Sequence, residues 1–296
     1  MNSAPFRRIP VLPSIAPLVQ EADGWLSDVW GVIHNGRSAF PRAVDACSRF
    51  RAAGGTVVLV TNAPRPEAAV AEMLDRLGVA RAAWDAIVTS GDVTRELIRP
   101  LSDAPIFHLG PERDRGIFEG LQVPLSDAAT ARAVVCSGLF DDDKETPDDY
   151  REMLEGFRAR SLPMICANPD HMVERGDRLV WCAGALANLY ERQGASVIYA
   201  GKPYAPIYHL ALETIGKLVG ERVSKDQVLA IGDGVNTDIA GAGGVGIPSV
   251  FVASGLHMPS NSGGEVGADM LDRRHLAELF AHAKERPLGA MRTLKW

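Results

Sequence analysis

Short apolar runs alternate with helical patterns along the first 80 residues of this chain. Residues 56–60 form a continuous, mostly β-branched run of the kind that is buried on both faces of a parallel sheet. A strand-like run at 25–29 precedes it, and Val44, Cys47 and Phe50 recur between the two runs at helical spacing. A second helical pattern at 66–77 follows. This strand, helix, strand, helix order predicts an α/β fold with a parallel sheet.

Polar residues stand where four of the predicted strands end. Asp28 ends the run at 25–29, and Thr61 and Asn62 follow the run at 56–60. Lys202 follows a run at 196–200 that is predicted to be a buried strand, and Asp233 follows a run at 227–231. Because the carboxyl ends of parallel strands share one edge of the sheet, we expect these side chains to converge there.

The chemistry of these side chains favours phosphoryl transfer. Two carboxylates, Asp28 and Asp233, make an oxygen site suited to Mg²⁺, which binds through one or two carboxylates and substrate phosphate. The hydroxyl of Thr61 and the amide of Asn62 supply neutral hydrogen bonds to phosphoryl oxygens, and Lys202 supplies a positive charge. Asp28 is the candidate nucleophile.

Composition excludes several other classes of protein. The chain is 46% hydrophobic and 23% charged with a net charge of −6, and its basic residues form no stripe, which argues against a nucleic-acid partner. No apolar run reaches membrane-spanning length, and prolines interrupt the N-terminal segment, which fits no targeting signal. Four widely spaced cysteines predict reduced thiols and a cytoplasmic protein. Sequence does not determine the oligomeric state; a homodimer is the candidate assembly.

Seven motifs occur in the order of a known family. They are Asp28-x-x-Gly31 with Gly36, Val60-Thr61-Asn62, Thr89-Ser90-Gly91, Ala167-Asn168-Pro169-Asp170, Gly184-Ala185, Gly201-Lys202-Pro203 and Ile231-Gly232-Asp233-Gly234 with Thr237-Asp238-Ile239. With these motifs, residues 24–255 resemble the haloacid-dehalogenase-like superfamily. Within it they resemble class IIA, the sugar-phosphatase and 4-nitrophenyl-phosphatase-like group with a C2-type cap.

The resemblance implies a Rossmann-like parallel-sheet core with an inserted α/β C2-type cap domain. The core would comprise 1–89 and 198–296, and the cap 90–197. The resemblance also implies an aspartyl-phosphate intermediate on Asp28, phosphate binding by Thr61 and Lys202, and hydrogen bonding by Asp238 around a metal site. Mg²⁺ would be held by Asp28, Asp233 and the backbone carbonyl of Trp30.

Trp30 departs from the family pattern. The phosphatases of this family carry a second Asp at this position, which protonates the leaving oxygen, and an indole cannot do so. General acid–base catalysis contributes roughly 10²- to 10⁴-fold, so esters with poor leaving groups should be hydrolysed slowly. His34, in the same turn, is the nearest candidate for a substitute acid.

The function predicted from the sequence is a Mg²⁺-dependent phosphohydrolase acting on a small phosphorylated metabolite. One alternative is a regulatory protein that binds phosphate and metal with little turnover. Another is a metal-independent dehalogenase-like hydrolase. Asp233 and Asp238 argue against it, because their carboxylates would repel an anionic substrate unless a cation offset their charge. Residues 168–171 and 184–188 of the cap are expected to contact the substrate.

Two further motifs are rejected as functional sites. Asp141, Asp142 and Asp143 lack the later Gly and Glu of a calcium loop and predict a solvated acidic turn. The glycines of residues 241–246 match a dinucleotide-binding pattern, but they precede a strand instead of following one, which predicts a helix-to-strand turn. The Gly/Ser-rich segment from His257 to residue 268 is expected to lead into a helix through Lys284.

Overall fold

The computed structural model describes residues 8–19, 22–175, 178–253 and 271–296. Strands and helices alternate through most of these residues, as the sequence predicts. The strands are β1 (Gly24–Asp28), β2 (Thr56–Thr61), β3 (Ala86–Thr89), β4 (Ile106–Leu109), β5 (Ala133–Cys136), β6 (Met164–Cys166), β7 (Met172–Arg175), β8 (Arg178–Trp181), β9 (Val197–Tyr199), β10 (Val228–Gly232), β11 (Ser249–Val252) and β12 (Gly289–Met291). The α-helices are α1 (Ala16–Val19), α2 (Pro41–Ala52), α3 (Glu67–Arg76), α4 (Ser90–Ile98), α5 (Arg151–Ala159), α6 (Ala183–Arg192), α7 (Ala205–Val219), α8 (Ala240–Val245) and α9 (Arg273–Leu279).

A six-stranded sheet has the order β12-β11-β10-β1-β2-β3. Strand β1 pairs in parallel with both β10 and β2, and every one of its residues is buried. Burial on both faces explains why this strand reads as an apolar run with no alternation. On one face, the rings of Trp25 and Phe50 stack at a centroid distance of 4.0 Å. Asp28 therefore ends a central, rigid strand.

A second sheet contains four parallel strands in the order β4-β5-β6-β9, and β7 and β8 form an antiparallel pair. The prediction of a buried strand at 196–200 that shares a sheet with the strands before Asp28, Thr61 and Asp233 is wrong in two respects. Strand β9, which precedes Lys202, belongs to the four-stranded sheet, whereas β1, β2 and β10 belong to the six-stranded sheet. Strand β9 also lies at the edge of the four-stranded sheet, and Ile198 is 45% exposed. An edge strand is covered on fewer sides, so an apolar sequence alone does not ensure its burial.

The chain divides into two compact units. The first comprises the described residues of Met1–Val60, Leu74–Ala86 and Ala211–Trp296, and the second comprises those of Thr61–Met73 and Ile87–Leu210. The four-stranded sheet lies wholly in the second unit. The fold class is confirmed as a Rossmann-like α/β core with an additional α/β cap region, while the boundaries at 1–89, 90–197 and 198–296 stay a prediction.

Several other elements also differ from the sequence predictions. Helix α4 was not predicted, although Thr89 and Asp92 form a capping box at its start, with the Asp92 N–H donating to Thr89 Oγ1 at 2.9 Å. The C-terminal helix ends at Leu279 instead of continuing to Lys284, and β12 follows it. The segment from His257 to residue 268 lies outside the described residues.

The predicted glycine-rich helix-to-strand turn at 241–246 is confirmed only at Gly246, because residues 241–245 lie within helix α8. Helix α8 ends at Gly246, whose φ of +80° is the left-handed conformation that glycine adopts most easily, and β11 follows. Among the helices of the described ranges, none has the length and apolar character needed to cross a membrane.

Candidate active site

Asp28 ends β1 at the start of a tight turn and is buried. The Val29 N–H donates to Asp28 Oδ1 at 2.7 Å, which orients the carboxylate. The Gly31 N–H donates to the carbonyl of His34 at 2.8 Å, and the φ of Gly31 is +80°. Glycine is needed at this position because other residues rarely adopt that conformation. The Asp-x-x-Gly pattern is therefore a strand end followed by a closed turn.

Three carboxylates of the first unit form a cluster. One oxygen each from Asp28, Asp233 and Asp238 lies within 4.8 Å of the others, and all three residues are buried. The Gly234 N–H donates to Asp238 Oδ2 at 3.0 Å. A Cβ at Gly232 would lie 2.2 Å from Asp238 Cβ, so only glycine permits this approach. Sequence reasoning placed Asp28 and Asp233 at one sheet edge, and the cluster brings Asp238 to them.

The donor set of this cluster suits a hard divalent cation. Its ligand atoms are all carboxylate oxygens, which Mg²⁺ and Ca²⁺ prefer, and it offers no sulfur or imidazole ligand. Three buried negative charges this close repel one another, and a bound cation would offset that repulsion. The residues present thus fit a metal ion.

The indole of Trp30 packs against Gly36 and His34, in the turn that follows β1. A Cβ built on Gly36 would be 2.3 Å from Trp30 Cη2, so the ring occupies the space beside that glycine. The ring also meets His34 edge-on, with the centroids 5.1 Å apart and an interplanar angle of 76°. Gly36, which the family motif includes, is therefore the residue that makes room for Trp30.

His34 is completely buried beneath this turn. Burial lowers its pKa to about 4, so the imidazole is neutral at pH 7. The Gly36 N–H donates to His34 Nδ1 at 2.8 Å, which leaves the proton on Nε2. Nε2 has no hydrogen-bond partner among the described residues. The substitute-acid role of His34 stays a prediction, and a neutral, buried ring weighs against it.

Asn62, Asp170 and Lys202 are joined in the second unit. Asn62 Nδ2 donates to Asp170 Oδ1 at 2.9 Å and to the Lys202 carbonyl at 3.1 Å. The Lys202 N–H donates to Asn62 Oδ1 at 2.7 Å. A Cβ at Gly201 would lie 2.3 Å from Asn62 Oδ1. The amide of Asn62 thus holds the main chain that carries Lys202, which is buried.

Sequence reasoning missed an ion pair in the same unit. Arg65 Nε lies 3.1 Å from Asp114 Oδ1, and Asp114 is buried. The signal available in the sequence was the basic residue in the loop after Thr61 and Asn62.

The acidic turn is not wholly solvated as predicted. The carboxylate of Asp142 is only 9% exposed and pairs with Arg113 and Arg175. These two guanidinium groups balance its charge, so its burial requires no metal. The four cysteines are confirmed as buried, free thiols.

Comparison with known proteins identifies the family. A family model described as haloacid dehalogenase-like hydrolase matches residues 25–123, and a related HAD-hydrolase-like model matches 199–273. A solved hydrolase of the haloacid dehalogenase-like family from Brucella suis 1330 is 48% identical, with a TM-score of 0.79 over 83% of this chain and 95% of that one. The chain belongs to the haloacid dehalogenase-like hydrolases.

More distant relatives have more specific names. Chronophin from Bos taurus is 26% identical over 268 residues, which cover 82% of this chain and 85% of that protein. A p-nitrophenyl phosphatase from Archaeoglobus fulgidus is 20% identical, covers 92% of this chain and 97% of its own, and has a TM-score of 0.71. The likeness to this phosphatase shows the fold alone.

Proposed function

We propose that this hydrolase is a Mg²⁺-dependent phosphatase that hydrolyses a small phosphorylated metabolite through an aspartyl-phosphate intermediate. The observation that carries the proposal is the buried cluster of Asp28, Asp233 and Asp238 at the end of the parallel strands β1 and β10. Among the relatives, p-nitrophenyl phosphatases share the fold, which supports a phosphate ester as the substrate.

In this proposal Asp28 is the nucleophile. One of its oxygens attacks phosphorus, the bond from phosphorus to the leaving oxygen breaks, and that oxygen departs with the electron pair. Water then attacks the aspartyl-phosphate, which releases inorganic phosphate and regenerates the carboxylate. The Val29 N–H that donates to Asp28 Oδ1 restricts rotation of the carboxylate and so favours one orientation for attack.

Asp28, Asp233 and the backbone carbonyl of Trp30 would hold Mg²⁺, with Asp238 hydrogen-bonding around the ion. The ion would neutralise charge on the phosphoryl group. Because the protein offers only about three ligands, binding should be weak without phosphate and tighter with it.

Thr61 and Lys202 are proposed to bind the phosphate. Lys202 supplies a positive charge, and its main chain is held on both sides by the amide of Asn62. The Nδ2 group of that amide donates to Asp170 and to the Lys202 carbonyl, and its oxygen accepts from the Lys202 N–H. Asn62 is therefore proposed to contribute to phosphate binding indirectly, by holding the main chain of Lys202 in place.

The test is release of phosphate from a panel of esters with and without Mg²⁺. Asp28→Asn should lower turnover by about 10⁴-fold or more, because the amide is a poor nucleophile. Asp103→Asn, at an exposed position, is the matched control and should behave like wild type. Activity that persists in Asp28→Asn would refute the proposal.

A regulatory protein with little turnover is the second candidate, and Trp30 favours it. The indole stands where the family's phosphatases carry the general acid, and it packs on Gly36. Binding of Mg²⁺ and inorganic phosphate without turnover of any ester would support this candidate. Metal-independent hydrolysis would instead support the dehalogenase-like alternative.

A further inference from the structure

The loop that follows β2 is held rigidly within the second unit. The Thr89 hydroxyl donates to the carbonyl of Arg65 at 2.6 Å, and the Ser90 hydroxyl donates to the carbonyl of Ala63 at 3.0 Å. A Cβ at Gly91 would lie 2.4 Å from the Arg65 carbonyl oxygen, so helix α4 packs directly on this main chain. The Cα of Arg65 is therefore held in one place.

The side chain of Arg65 is held at one point only. Its Nε pairs with the buried carboxylate of Asp114 at 3.1 Å. The side chain is 37% exposed, and its Nη1 and Nη2 donate to no group in the described parts of the chain. A guanidinium that is anchored through Nε presents two parallel N–H donors, the arrangement that binds carboxylate or phosphate oxygens in a bidentate manner.

Arg65 and Asn62 reach different strand ends of one sheet. Asn62 contacts the segments after β6 and β9, through Asp170 and Lys202. Arg65 contacts Asp114, in the turn after β4. In the order β4-β5-β6-β9, neighbouring strands lie about 4.8 Å apart, so the anchor of Arg65 lies roughly 10 to 14 Å from the anchors of Asn62. The carboxyl edge of a parallel sheet is where α/β folds bind ligands.

Two cationic side chains thus belong to one sheet edge, with a separation that a small metabolite can span. We propose that Arg65 recognises a second anionic group, a carboxylate or a phosphate, on the leaving-group side of the substrate, roughly 10 to 14 Å from the phosphate that Lys202 is proposed to bind. This inference rests on the proposed phosphatase function and names its substrate class: small phosphate esters with a second negative charge at the far end.

Binding of non-hydrolysable phosphonates, measured by calorimetry with Mg²⁺ present, tests the inference without turnover. ω-Phosphonoalkanoates carry both charges, and alkylphosphonates of equal chain length carry one. Wild type should bind the phosphonoalkanoate about 10- to 100-fold more tightly, with the largest advantage at a charge separation of roughly 10 to 14 Å. An α,ω-bisphosphonate series distinguishes a carboxylate subsite from a phosphate subsite.

Arg65→Met should remove the advantage of the second charge, and Arg65→Lys should keep part of it. Because Arg65→Met removes the ion-pair partner of the buried Asp114 carboxylate, the double variant Arg65→Met/Asp114→Asn guards against misfolding. Arg151→Met is the control, since Arg151 lies in the same unit and pairs with the exposed carboxylate of Asp148. It should retain the wild-type preference.

The outcomes separate this inference from the function on which it rests. If wild type bound alkylphosphonates and phosphonoalkanoates with equal affinity, the role of Arg65 would be overturned and the phosphatase proposal would remain intact. If Arg65→Met weakened binding of the phosphonoalkanoate and of the alkylphosphonate equally, the role of Arg65 would also be overturned, because the residue would then act on the loop as a whole. Absence of any phosphonate binding would overturn the phosphate site and this inference together.

Discussion

The carboxyl edges of the two parallel sheets use the same residue type differently. At the edge of the six-stranded sheet, Asp28, Asp233 and Asp238 face one another within 4.8 Å. At the edge of the four-stranded sheet, Asp170 and Asp114 instead face an amide and a guanidinium. The first arrangement suits a cation. In the second, the acids hold Asn62 and Arg65 in place. The residues within hydrogen-bond distance therefore determine whether an aspartate after a strand is available to a cation or holds another side chain.

Removing one charge from the cluster should give the largest effect. Asp238→Asn should weaken Mg²⁺ binding in the presence of phosphate by about 10- to 100-fold, or about 1.4 to 2.7 kcal/mol, if Asp238 hydrogen-bonds around the ion as proposed. Calorimetric titration measures it. Asp114→Asn, the same substitution at the other sheet, should leave Mg²⁺ affinity within about twofold. An equal loss of Mg²⁺ affinity in both variants would contradict the difference between the two sheet edges.

Each unit also contains a histidine with a pKa lowered to about 4, the buried His34 in the first and the half-buried His108 in the second, with desolvation as the main cause. Between about pH 6.5 and 4 the unfolded chain binds a proton that the folded chain does not, so stability falls as the pH falls through this window. For His34 the loss from pH 7 to pH 5 is about 2 kcal/mol.

His34→Asn keeps an acceptor for the Gly36 N–H and cannot titrate, so it should reduce this pH dependence. His108→Gln keeps a polar group toward Ser137, which lies 2.9 Å from His108 Nε2, and should act in the same direction. Urea unfolding at pH 5 and pH 7 measures both variants. If the two units unfold in separate transitions, each variant should alter a different one; an unchanged pH dependence in both would contradict the buried, neutral state.

The amide of Asn62 offers a sharper test of the second sheet. Asn62→Ala removes three hydrogen bonds and should weaken binding of inorganic phosphate by about 10- to 30-fold, or about 1.4 to 2 kcal/mol, because the main chain of Lys202 loses its support. Asn35→Ala removes a turn amide of the first unit that accepts from the Arg37 and Ser38 N–H groups. It should leave phosphate affinity unchanged, and a matching loss there would point to general destabilisation.

The smallest effect is expected at Trp30. Wild type should hydrolyse aryl phosphates far better than alkyl phosphates, since an aryl oxygen departs without protonation. Trp30→Asp should raise activity on alkyl phosphates by about tenfold, or about 1.4 kcal/mol. Because the ring packs on Gly36 and His34, folding of the variant must be verified first. Equal wild-type rates on both ester classes would show that another group protonates the leaving oxygen.

Local patterns in the sequence were enough to predict most of the architecture. Apolar runs, helical spacing and glycine turns predicted strands β1, β2 and β10 and helices α2, α3 and α7, because these signals depend on residues a few positions apart. The rule that parallel strands share a carboxyl edge then brought Asp28 and Asp233 together, as the cluster confirms. The capping box of Thr89 and Asp92 was an equally local signal for α4 that was overlooked.

Side-chain partners were decided only by the tertiary structure. Asn62 finds its partners 108 and 140 positions away, and Arg65 finds Asp114 at a distance of 49 positions. No periodicity links such residues, because their meeting depends on how whole elements pack. Burial is decided in the same way: His34 reads as a polar turn residue, yet packing around the turn encloses it and lowers its pKa. Sequence thus determined which side chains stand at the strand ends, and packing determined which of them cluster as a candidate cation site and which hydrogen-bond to one another.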